Sequence, residues 1–453
     1  MSRLSAQNLP AKAALPAYDR AAKNVGIVHF GLGAFTRAHQ AWYTDRAMEA
    51  AKDQADGGDW LIAGVSLRSP AVGEQLNPQD GLYTLAEKSG EGTKLRVIGS
   101  VAKVLLATQD RAELVNLLAA PTTHIVIFTV TEKGYCRRAD GGLDLGLADG
   151  GFYPILAEAL ARRMAAGTAG LTLLSCDNLA DNGHQLKRLM GDYLAGDAAL
   201  SAWVATHCTF PCSMVDRIVP ATTDEDRAEV EAALALRDEG VVMTEPFSQW
   251  VIEDAFAGPR PAWEKQGAQI VQDVAPYETA KLRMLNGAHS ALAYLGLEAG
   301  HSFVHQAVGD PALRQLVLGL MLEEAAPTIP APEGMDLAAY AHALIERFDN
   351  PALNHRLIQI AMDGSQKIPQ RWLATLAANQ QAGRPSPALH LAVAAWLRHV
   401  RGDNVAQWGK VDDPRADELA AAWQAHGAEG VVDAIFSANG LLPSAWQPEG
   451  ISL

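Results

Sequence analysis

A short apolar run that ends in two glycines is the feature that most constrains the fold of this chain. Val25–Phe30 is typical of a buried strand, and it leads directly into Gly31-Leu-Gly33, after which a helix is expected from about Arg37. In a dinucleotide-binding loop, the first glycine allows the tight turn, the second lets the backbone approach a pyrophosphate, and the helix N-terminus supplies N–H groups. The usual third glycine is replaced by Thr36. The pattern predicts a Rossmann-like domain at the start of the chain.

Three more apolar, β-branched runs fit the same kind of domain: Trp60–Leu67, His124–Val130 and Leu171–Ser175. Continuous apolar runs of this length are typical of parallel strands that are buried on both faces. Asn178 follows the last of them, and ligands bind at the carboxyl ends of strands in open α/β sheets. Asn178 is therefore a candidate amide donor, although a role as a turn former fits the local sequence equally well.

The character of the chain changes at about Tyr277, where Ala- and Leu-rich helical patterns replace the strands. We expect a domain boundary near residues 272–278. The predicted fold class is α/β, with a Rossmann-like dinucleotide-binding N-terminal domain (residues 1–275) followed by a mostly α-helical C-terminal domain (residues 276–453) for substrate and catalysis. A chain of 453 residues is long enough for two such domains.

Charge and composition exclude several classes of partner. The formal charge of −15 argues against nucleic acids and anionic membranes, which both require a basic surface. Residues 1–18 contain no apolar core of a signal peptide, and no run approaches the roughly 18 apolar residues of a membrane span. Four cysteines in so long a chain do not make a disulfide framework, which favours the reducing cytoplasm. The expected partner is a small molecule, and the expected assembly is a monomer or a small homo-oligomer.

A metal centre is a weaker interpretation of the cysteines. His207, Cys208 and Cys212 are close in sequence, but they lack the usual spacing partners of a zinc site elsewhere in the chain. Buried structural thiols are the better interpretation, and we expect no metal.

The stretch Lys281–His289 is the strongest candidate for the chemistry. At about 100° per residue on a helix, Lys281, His289 and Asn286 fall at roughly 0°, 80° and 140° and share one broad face in apolar surroundings. A Lys beside neutral amide and imidazole groups could accept a proton. Gly287 suggests that another segment packs closely there. The alternative is an ordinary exposed start of a helix.

Three further charged positions have two interpretations each. Asp216-Arg217 lies in an apolar frame and looks like a partly buried pair, which is more often structural than catalytic. Arg68 follows the second strand and could accept a ribose 2′-phosphate, or it could simply lie on a solvated loop. Asp363-Gly364 and Pro369 are expected to interrupt the helices and present Lys367 on a loop, where most lysines are only solvated.

Taken together, these stretches resemble the polyol-specific long-chain dehydrogenases, a family that includes mannitol 2-dehydrogenases and fructuronate reductases. The matching motifs occur in family order over about residues 25 to 400: His29–Gln40, Thr129–Tyr135, Leu174–Asn178 with Asn182-Gly183, Phe210–Ile218, Glu245–Asp254, Lys281–His289 and Asp363–Lys367. So many long motifs in register are far more specific than the glycine loop alone.

The resemblance implies a metal-independent active site that uses a nicotinamide cofactor, NAD with NADP not excluded. It makes Lys281 the general acid/base, and Asn178 and Asn286 the holders of the reacting oxygen. The remaining implied positions are substrate-binding (His289, Asp216, Lys367, Arg283 and Gln359), on the proton path (Glu278), and cofactor-binding (Gly31, Leu32, Gly33, Ala34, Phe35, Arg37 and Arg68).

Two departures from the family pattern bear on specificity. Pro70 and Ala71 replace the acidic pair of NAD-using mannitol dehydrogenases, and Gln359 stands where those enzymes place a substrate-site Arg. Together with Arg283 and Gln366–Arg371, this makes the chain more similar to the fructuronate reductase branch. The first expectation is therefore a fructuronate reductase (D-mannonate oxidoreductase), and the alternative is a mannitol 2-dehydrogenase or another hexitol or pentitol dehydrogenase. An inactive nucleotide-sensing protein and a hydroxyacid dehydrogenase of the six-phosphogluconate type are the rival classes.

Overall fold

The structure is a computed structural model that describes residues 1–53, 58–138, 140–352 and 354–453. The chain divides into two compact units, Met1–Ala275 and Pro276–Leu453. None of the helices in the described ranges is both long and apolar enough to cross a membrane.

The first unit contains eleven described strands: β1 Val25–Phe30, β2 Leu61–Ser66, β3 Tyr83–Ser89, β4 Gly92–Ile98, β5 Val101–Leu106, β6 Ile125–Phe128, β7 Thr172–Ser175, β8 Ser213–Asp216, β9 Val242–Thr244, β10 Gln249–Glu253 and β11 Gln269–Val271. Five of them form a parallel sheet in the order β5-β2-β1-β6-β7. The order reverses between β1 and β6, and this reversal leaves a crevice at the carboxyl ends of the two strands. The predicted α/β class and its parallel sheet are confirmed.

The helices of this unit are α1 Ala34–Ala38, α2 Gln40–Ala50, α3 Ala71–Leu76, α4 Arg111–Ala119, α5 Thr131–Gly134, α6 Leu145–Ala148, α7 Tyr153–Ala166, α8 Asn182–Leu194, α9 Ala198–His207 and α10 Asp224–Leu234. Short 3₁₀ turns lie at Asn77–Gln79 and Trp263–Gln266. Consecutive residues along a strand point to opposite faces of the sheet, and each face is buried in its own apolar core. Ile27 and Ile125 join one apolar core, while Val28 and Val126 join the other. Each such side chain contributes roughly 1.5–3 kcal/mol when it is fully buried.

Two three-stranded sheets complete the first unit, in the orders β11-β10-β8 and β4-β3-β9. In the first of these, β8 and β10 are antiparallel and pair Asp216 with Gln249. This pairing places Asp216 at the end of a short, fully buried strand.

The second unit is helical, and its described residues contain no strand. Its helices are α11 Ala275–Ala280, which begins at the last residue of the first unit, α12 Gly287–Glu298, α13 Val304–Gly309, α14 Pro311–Gly319, α15 Leu337–Phe348, α16 Leu357–Ile360, α17 Gly364–Ile368, α18 Ala374–Gln381, α19 Pro387–Val400, α20 Val405–Trp408 and α21 Ala416–Phe436. Three π-helical segments lie at Lys281–Asn286, Leu320–Ala325 and Pro369–Leu373, and a 3₁₀ turn lies at Ala326–Thr328.

Helix α12 is the central element of the second unit. It is buried all round from Gly287 to Tyr294, which is the property of a core helix rather than of an amphipathic surface helix. It packs against α13, α16 and α19. The alternative of an exposed helix start is therefore wrong for the region after Asn286.

Candidate active site

The turn after β1 has the backbone geometry that the glycine pattern predicts. Gly31 has a φ of +89°, and a Cβ there would lie 2.0 Å from the carbonyl oxygen of Thr129. Its N–H donates to the carbonyl oxygen of Val65 at 2.8 Å. By contrast, a Cβ on Gly33 would meet only the carbonyl oxygen of Gly31, at 3.9 Å. Gly31 is therefore required by the protein itself, whereas Gly33 leaves open space above the loop for a ligand.

Thr36, which occupies the place of the third glycine, supports the loop through its hydroxyl. Its Oγ1 donates to the carbonyl oxygen of Gly31 at 3.2 Å and lies 2.7 Å from the hydroxyl of Thr129, which donates to the same carbonyl at 2.7 Å. The imidazole of His29 lies 2.9 Å from the Thr129 hydroxyl. Burial lowers the pKa of His29 to about 3, so its ring is neutral. A hydroxyl network thus fixes the turn where the glycine pattern departs from the usual one.

A cleft of about 480 Å³ lies over this loop, at the carboxyl ends of β1, β2 and β6. Of the predicted cofactor-binding residues, Gly31, Leu32, Gly33 and Arg68 line it. The turn after β6 also contributes Lys133, which the sequence analysis missed. Lys133 could have been recognised from the sequence as a cationic residue in the turn that follows a buried strand. The structure therefore brings two cationic side chains, Arg68 and Lys133, to a cleft with a backbone floor.

The other predicted cofactor residues lie elsewhere, and Ala34, Phe35 and Arg37 do not belong to the lining of this cleft. Arg37 is buried, where its Nη1 donates to the carbonyl oxygen of Gly240 at 2.6 Å and its Nε to that of Gly33 at 3.3 Å. Phe35 stacks on His39. Arg37 thus supports the loop from inside the protein, because a buried guanidinium needs carbonyl acceptors.

The carboxyl ends of β6 and β7 are tied together by Asp177, which immediately precedes Asn178. The Asp177 carboxylate accepts hydrogen bonds from the N–H groups of Val130 at 3.0 Å and Thr131 at 2.8 Å, and from the hydroxyl of Tyr135 at 2.9 Å. Burial raises the pKa of Asp177. Asn178 itself is exposed beyond this anchor. Asp177 thus positions the predicted amide donor, a role that the sequence analysis did not assign.

Asp216 is buried at the end of β8, and the next residue, Arg217, is buried as well. Arg217 pairs with the carboxylate of Glu87 at 2.6 Å and donates to the carbonyl oxygen of Ala38 at 2.6 Å. Its guanidinium also lies over the ring of Trp42. Arg217 is therefore a structural link between segments of the first unit, as one of the two interpretations held.

In the second unit, Lys281 and Asn286 are the first and last residues of a π-helical segment. Hydrogen bonds in such a segment run from i to i+5, so residues five apart come onto one side of the helix. His289 follows Asn286 by three residues in α12, which is the spacing of neighbours on an α-helical face. The three residues thus share a narrower face than the regular helix of the sequence analysis implied, because π segments cannot be seen in a 3.6-residue periodicity.

The π segment at Pro369–Leu373 supplies donors to the end of the first one. Nη1 of Arg371 donates to the hydroxyl of Ser290 at 2.7 Å and to the carbonyl oxygen of Asn286 at 3.4 Å. The indole N–H of Trp372 donates to the carbonyl oxygen of Gly287 at 3.0 Å. Trp372 is therefore the neighbour that Gly287 suggested, but a Cβ on Gly287 would meet its Cδ1 at 3.7 Å, an ordinary contact. The packing therefore does not require a glycine at position 287, and the expectation of a close approach there is wrong.

His289 is buried in a cationic environment. Its ring stacks on Phe348 with centroids 5.2 Å apart and meets the edge of His355 at 4.8 Å. Burial lowers its pKa well below the ordinary value, and the neighbouring groups His355, Arg371, Arg347 and Lys367 lower it further. Its Nε2 has no hydrogen-bond partner among the described residues. A neutral imidazole with an unsatisfied ring nitrogen is suited to a ligand. His355 was missed because nothing in its local sequence distinguishes it.

Lys367 does not lie on a loop, so that expectation is wrong. Asp363 takes a left-handed backbone conformation with φ 54° and begins α17, which carries Lys367 in its last turn. The ammonium donates to the carbonyl oxygens of Met362 and Ile360. Burial and the charge of Arg371 lower the pKa of Lys367. Pro369 does not end the helical stretch, because it lies at the junction of α17 and a π segment, where the hydrogen-bond pattern changes and a residue without an N–H is tolerated.

The remaining predicted residues are dispersed over the second unit. Arg283 is half-buried and donates from Nη1 to the carbonyl oxygen and the hydroxyl of Thr328, at 2.7 Å each. Burial lowers its pKa. Gln359 is exposed on α16, and Glu278 is half-buried on α11. Arg283 shares the π segment with Lys281, whereas Gln359 lies on a separate helix.

The cysteines do not form the zinc site of His207, Cys208 and Cys212 that the sequence analysis considered and set aside. All four are free and buried. The ring of His207 is bonded to the carbonyl oxygen of Trp203 at 2.9 Å, and it does not join Cys208 and Cys212 in a described ligand cluster. Cys212 instead lies beside Asp181 and His184.

The parallel sheet with a glycine-lined cleft at its reversal point defines the class as a Rossmann-type dinucleotide-binding protein. Family models agree and cover most of the chain: the mannitol dehydrogenase Rossmann domain matches residues 25–265, and the mannitol dehydrogenase C-terminal domain matches residues 273–441. The chain belongs to the mannitol dehydrogenase family, whose members are NAD-dependent oxidoreductases that act on secondary alcohols. The resemblance inferred from the motifs is confirmed.

Individual relatives differ in their substrates. The chain is 45% identical to D-mannonate oxidoreductase of Escherichia coli K12 over 419 residues, which cover 89% of this chain and 85% of the relative. It is 40% identical to mannitol 2-dehydrogenase of Pyrenophora tritici-repentis over 452 residues, 95% of this chain and 78% of the relative. The solved ternary complex of Pseudomonas fluorescens mannitol 2-dehydrogenase with NAD and D-mannitol matches with a TM-score of 0.83 and 36% identity, covering 96% of this chain and 92% of that one.

Proposed function

We propose that this protein is a D-mannonate oxidoreductase, that is, a fructuronate reductase, which interconverts the C5 secondary alcohol and ketone of a linear hexonate with a nicotinamide cofactor. The observation that carries the proposal is the set of cationic side chains around the neutral His289, namely Arg371, Arg347 and Lys367. A substrate carboxylate is stabilised by fixed cations, whereas a neutral polyol gains little from them. The 45% identity to a D-mannonate oxidoreductase supports the same choice.

NAD fits the cleft of the first unit. The open space above Gly33 accommodates the approach of a pyrophosphate, and Arg68 and Lys133 supply positive charge at its edge. A neighbouring cleft of about 350 Å³ at the ends of β2 and β5 includes Glu74. A carboxylate there disfavours a 2′-phosphate, while Arg68 favours one. NAD is the first choice because the similar Pseudomonas fluorescens enzyme binds it, and NADP is the alternative. The bound nicotinamide would accept or donate the hydride.

The protein would supply the proton transfer and the positioning. Lys281 takes the hydroxyl proton in the direction of alcohol oxidation, and Asn178 and Asn286 donate hydrogen bonds to the oxygen as negative charge develops. A free Lys titrates near 10.4, so burial or a nearby cation would have to lower the pKa of Lys281 for it to accept a proton near neutral pH. Glu278 would relay the proton to solvent.

The other assigned residues would bind the substrate. His289, neutral because its pKa is depressed, offers its unsatisfied Nε2 to a substrate hydroxyl. Lys367 and Arg283 would contact the carboxylate end, and Asp216 and Gln359 would contact other hydroxyls. Arg371 is already bonded to Ser290 and Asn286, and it acts mainly by positioning the end of the Lys281 segment.

A mannitol 2-dehydrogenase is the second candidate, favoured by the TM-score of 0.83 to the complex that contains NAD and D-mannitol. Steady-state rates on D-mannonate and D-mannitol, each with NAD and NADP, distinguish the two. We expect the higher kcat/KM for D-mannonate with NAD. A higher kcat/KM for D-mannitol contradicts the proposed substrate but not the family.

Charge-removing variants test why the acid is preferred. Lys367→Met and Arg283→Met should raise the KM for D-mannonate by roughly tenfold or more, because a charged hydrogen bond contributes about 1.5–3 kcal/mol. They should change the KM for D-mannitol much less. Arg401→Met, which removes a charge that pairs with Asp403 on the surface, is the control. Equal effects on both substrates would show that these cations do not select the carboxylate.

A further inference from the structure

Three side chains that carry different metal-binding atoms come together in the first unit, away from the cleft lining. Asp181 immediately precedes α8, His184 lies in its first turn, and Cys212 immediately precedes β8. Nδ1 of His184 lies 2.5 Å from Oδ1 of Asp181, and Sγ of Cys212 lies 3.5 Å from that oxygen and 3.8 Å from Nδ1. One carboxylate, one imidazole and one thiol thus face a common point.

The spacing fits one ion. In a tetrahedral zinc site with ordinary bond lengths, the ligand atoms lie roughly 3.3–3.6 Å apart. The two distances to Cys212 Sγ are already close to these values. Only the Asp181–His184 pair must open, by about 1 Å. Both of these side chains are more than half exposed, so a rotation of either can open the pair without disturbing the core.

The two segments that carry the ligands are held together by other residues. The side-chain amide of Asn182 donates to the carbonyl oxygen of Ser213 at 2.8 Å and accepts from its N–H at 3.0 Å. Gly183 approaches the opposite backbone so closely that a Cβ would lie 2.4 Å from the carbonyl oxygen of Pro211. The relative position of His184 and Cys212 is therefore fixed by the fold and not by the ligands themselves.

The local charges favour a cation. The N–H of Cys212 donates to the carboxylate of Glu253 at 2.9 Å, so a second acidic side chain lies beside the thiol in addition to Asp181. A thiol and an imidazole, together with carboxylates, prefer borderline metals such as Zn²⁺ over Mg²⁺ or Ca²⁺, which are bound by oxygen ligands.

We propose that Asp181, His184 and Cys212 form a binding site for a divalent metal of the zinc class. The ion takes three protein ligands, and a water molecule completes the tetrahedron on the exposed side. Coordination replaces the thiol proton, which is released to solvent, because the thiolate is the ligand. The site is not part of the proposed hydride transfer. It stabilises the segment that begins at Asp181, three residues after Asn178.

Cobalt substitution tests the site directly. Titration of the untagged full chain with Co²⁺ should give one equivalent of binding, with the charge-transfer absorption of a cobalt–thiolate bond that Zn²⁺ then displaces. Cys212→Ser should remove the absorption, and His184→Ala and Asp181→Ala should weaken Zn²⁺ binding at least tenfold by calorimetry. Cys208→Ser and His207→Ala change the same residue types nearby and should bind as the original chain does.

Thermal unfolding gives a readout that is independent of activity. An ion that binds only the folded state raises the melting temperature, so Zn²⁺ should stabilise the original chain and Cys208→Ser but not Cys212→Ser. A cobalt–thiolate absorption that persists in Cys212→Ser, unchanged zinc affinity in His184→Ala, or no binding to the original chain would each overturn the proposal. Rates on D-mannonate are measured separately and do not bear on it.

Discussion

The glycine loop of the first unit and the Lys281 helix of the second present different kinds of groups to a ligand. The loop offers a ligand mainly backbone, because Gly33 has open space above it and Gly31 is bonded through its N–H to β2. The helix offers side chains, namely Lys281, Asn286 and His289. Its own backbone carbonyl groups at Asn286 and Gly287 are bonded by Arg371 and Trp372.

The difference teaches which substitutions should matter in each region. A backbone site is damaged by adding atoms, since a Cβ either strains the turn or fills the ligand space. A side-chain site is damaged by removing atoms, while additions to its backbone can be harmless. Substitutions of Lys281, Gly31, Gly33 and Gly287 test this contrast, and the pH dependence of stability tests His29, which contacts the hydroxyl network of the loop.

Lys281→Ala should reduce kcat for D-mannonate oxidation by roughly 10²–10⁴-fold, because it removes the proposed general base. NAD affinity should be unchanged, since the cofactor cleft is built from residues of the first unit. Steady-state kinetics and a nucleotide titration measure the two effects. Lys410→Ala, which changes an exposed Lys of the same unit, is the control. A near-normal kcat in Lys281→Ala would remove this residue from the chemistry.

Gly31→Ala and Gly33→Ala should separate folding from cofactor binding. Gly31→Ala forces a Cβ against Thr129 at a φ of +89°, and it should destabilise the protein by at least about 1–3 kcal/mol in thermal or urea unfolding. Gly33→Ala should fold normally and bind NAD more weakly, because its Cβ occupies the space above the loop. Normal stability of Gly31→Ala, or full NAD affinity of Gly33→Ala, would contradict the backbone interpretation of the site.

His29 should make the protein lose stability in acid. Its pKa is about 3 in the folded state and near 6.5 when unfolded. The unfolded chain therefore binds the extra proton as the pH falls below about 6.5, and stability falls with it. His29 alone should remove about 2 kcal/mol between pH 7 and pH 5. Urea unfolding across this range should give a shallower pH dependence for His29→Gln than for the original chain. An unchanged dependence would show that His29 is not the responsible group.

Gly287→Ala should have the smallest effect. The added Cβ meets Arg371 and Trp372 only at ordinary contact distances of 3.5 and 3.7 Å, and Ala is the better helix former by up to about 1 kcal/mol. The free energy of unfolding should stay the same or rise by up to that amount, with kcat unchanged. A clear loss of stability would instead indicate that another segment packs closely against Gly287, as the sequence suggested.

The sequence was sufficient for the fold class because its signals are local. The β-branched runs at β1, β2, β6 and β7, and the glycine turn at Gly31, have patterns that few other structures share. The candidate site could be predicted only in part. Lys281, Asn286 and His289 were predicted as a group and remain predictions, and their common face depends on a π segment that periodicity does not reveal.

Long-range contacts account for the rest of what the sequence left out. His355 reaches His289 from 66 residues further along the chain. Lys133 lies at the cleft because β6 is next to β1 in the sheet. Cys212 meets His184 because Asn182 and Gly183 hold two segments together. The topology of the fold determines which residues become neighbours in this way, and no local spacing in the sequence predicts them. The position of Lys367 was predicted wrongly for the opposite reason. The residues Asp363 and Pro369 looked like the ends of helices, but Asp363 is the N-cap residue of α17 and Pro369 begins a π segment, so Lys367 lies in a helix.

The π segment at Lys281–Asn286 also determines how the site tolerates insertion and deletion. Loss of one residue within it would allow an ordinary α-helix to run from α11 into α12. Each residue of an α-helix turns the chain by about 100°, so Lys281 would still share a face with Asn286 and His289, which would then follow it by four and seven residues. An ordinary α-helix that kept every residue would instead place Asn286 at about 140° from Lys281. The common face is therefore encoded in the number of residues between the side chains together with the type of helix, and a comparison of chain lengths across this segment carries information that a comparison of side chains does not.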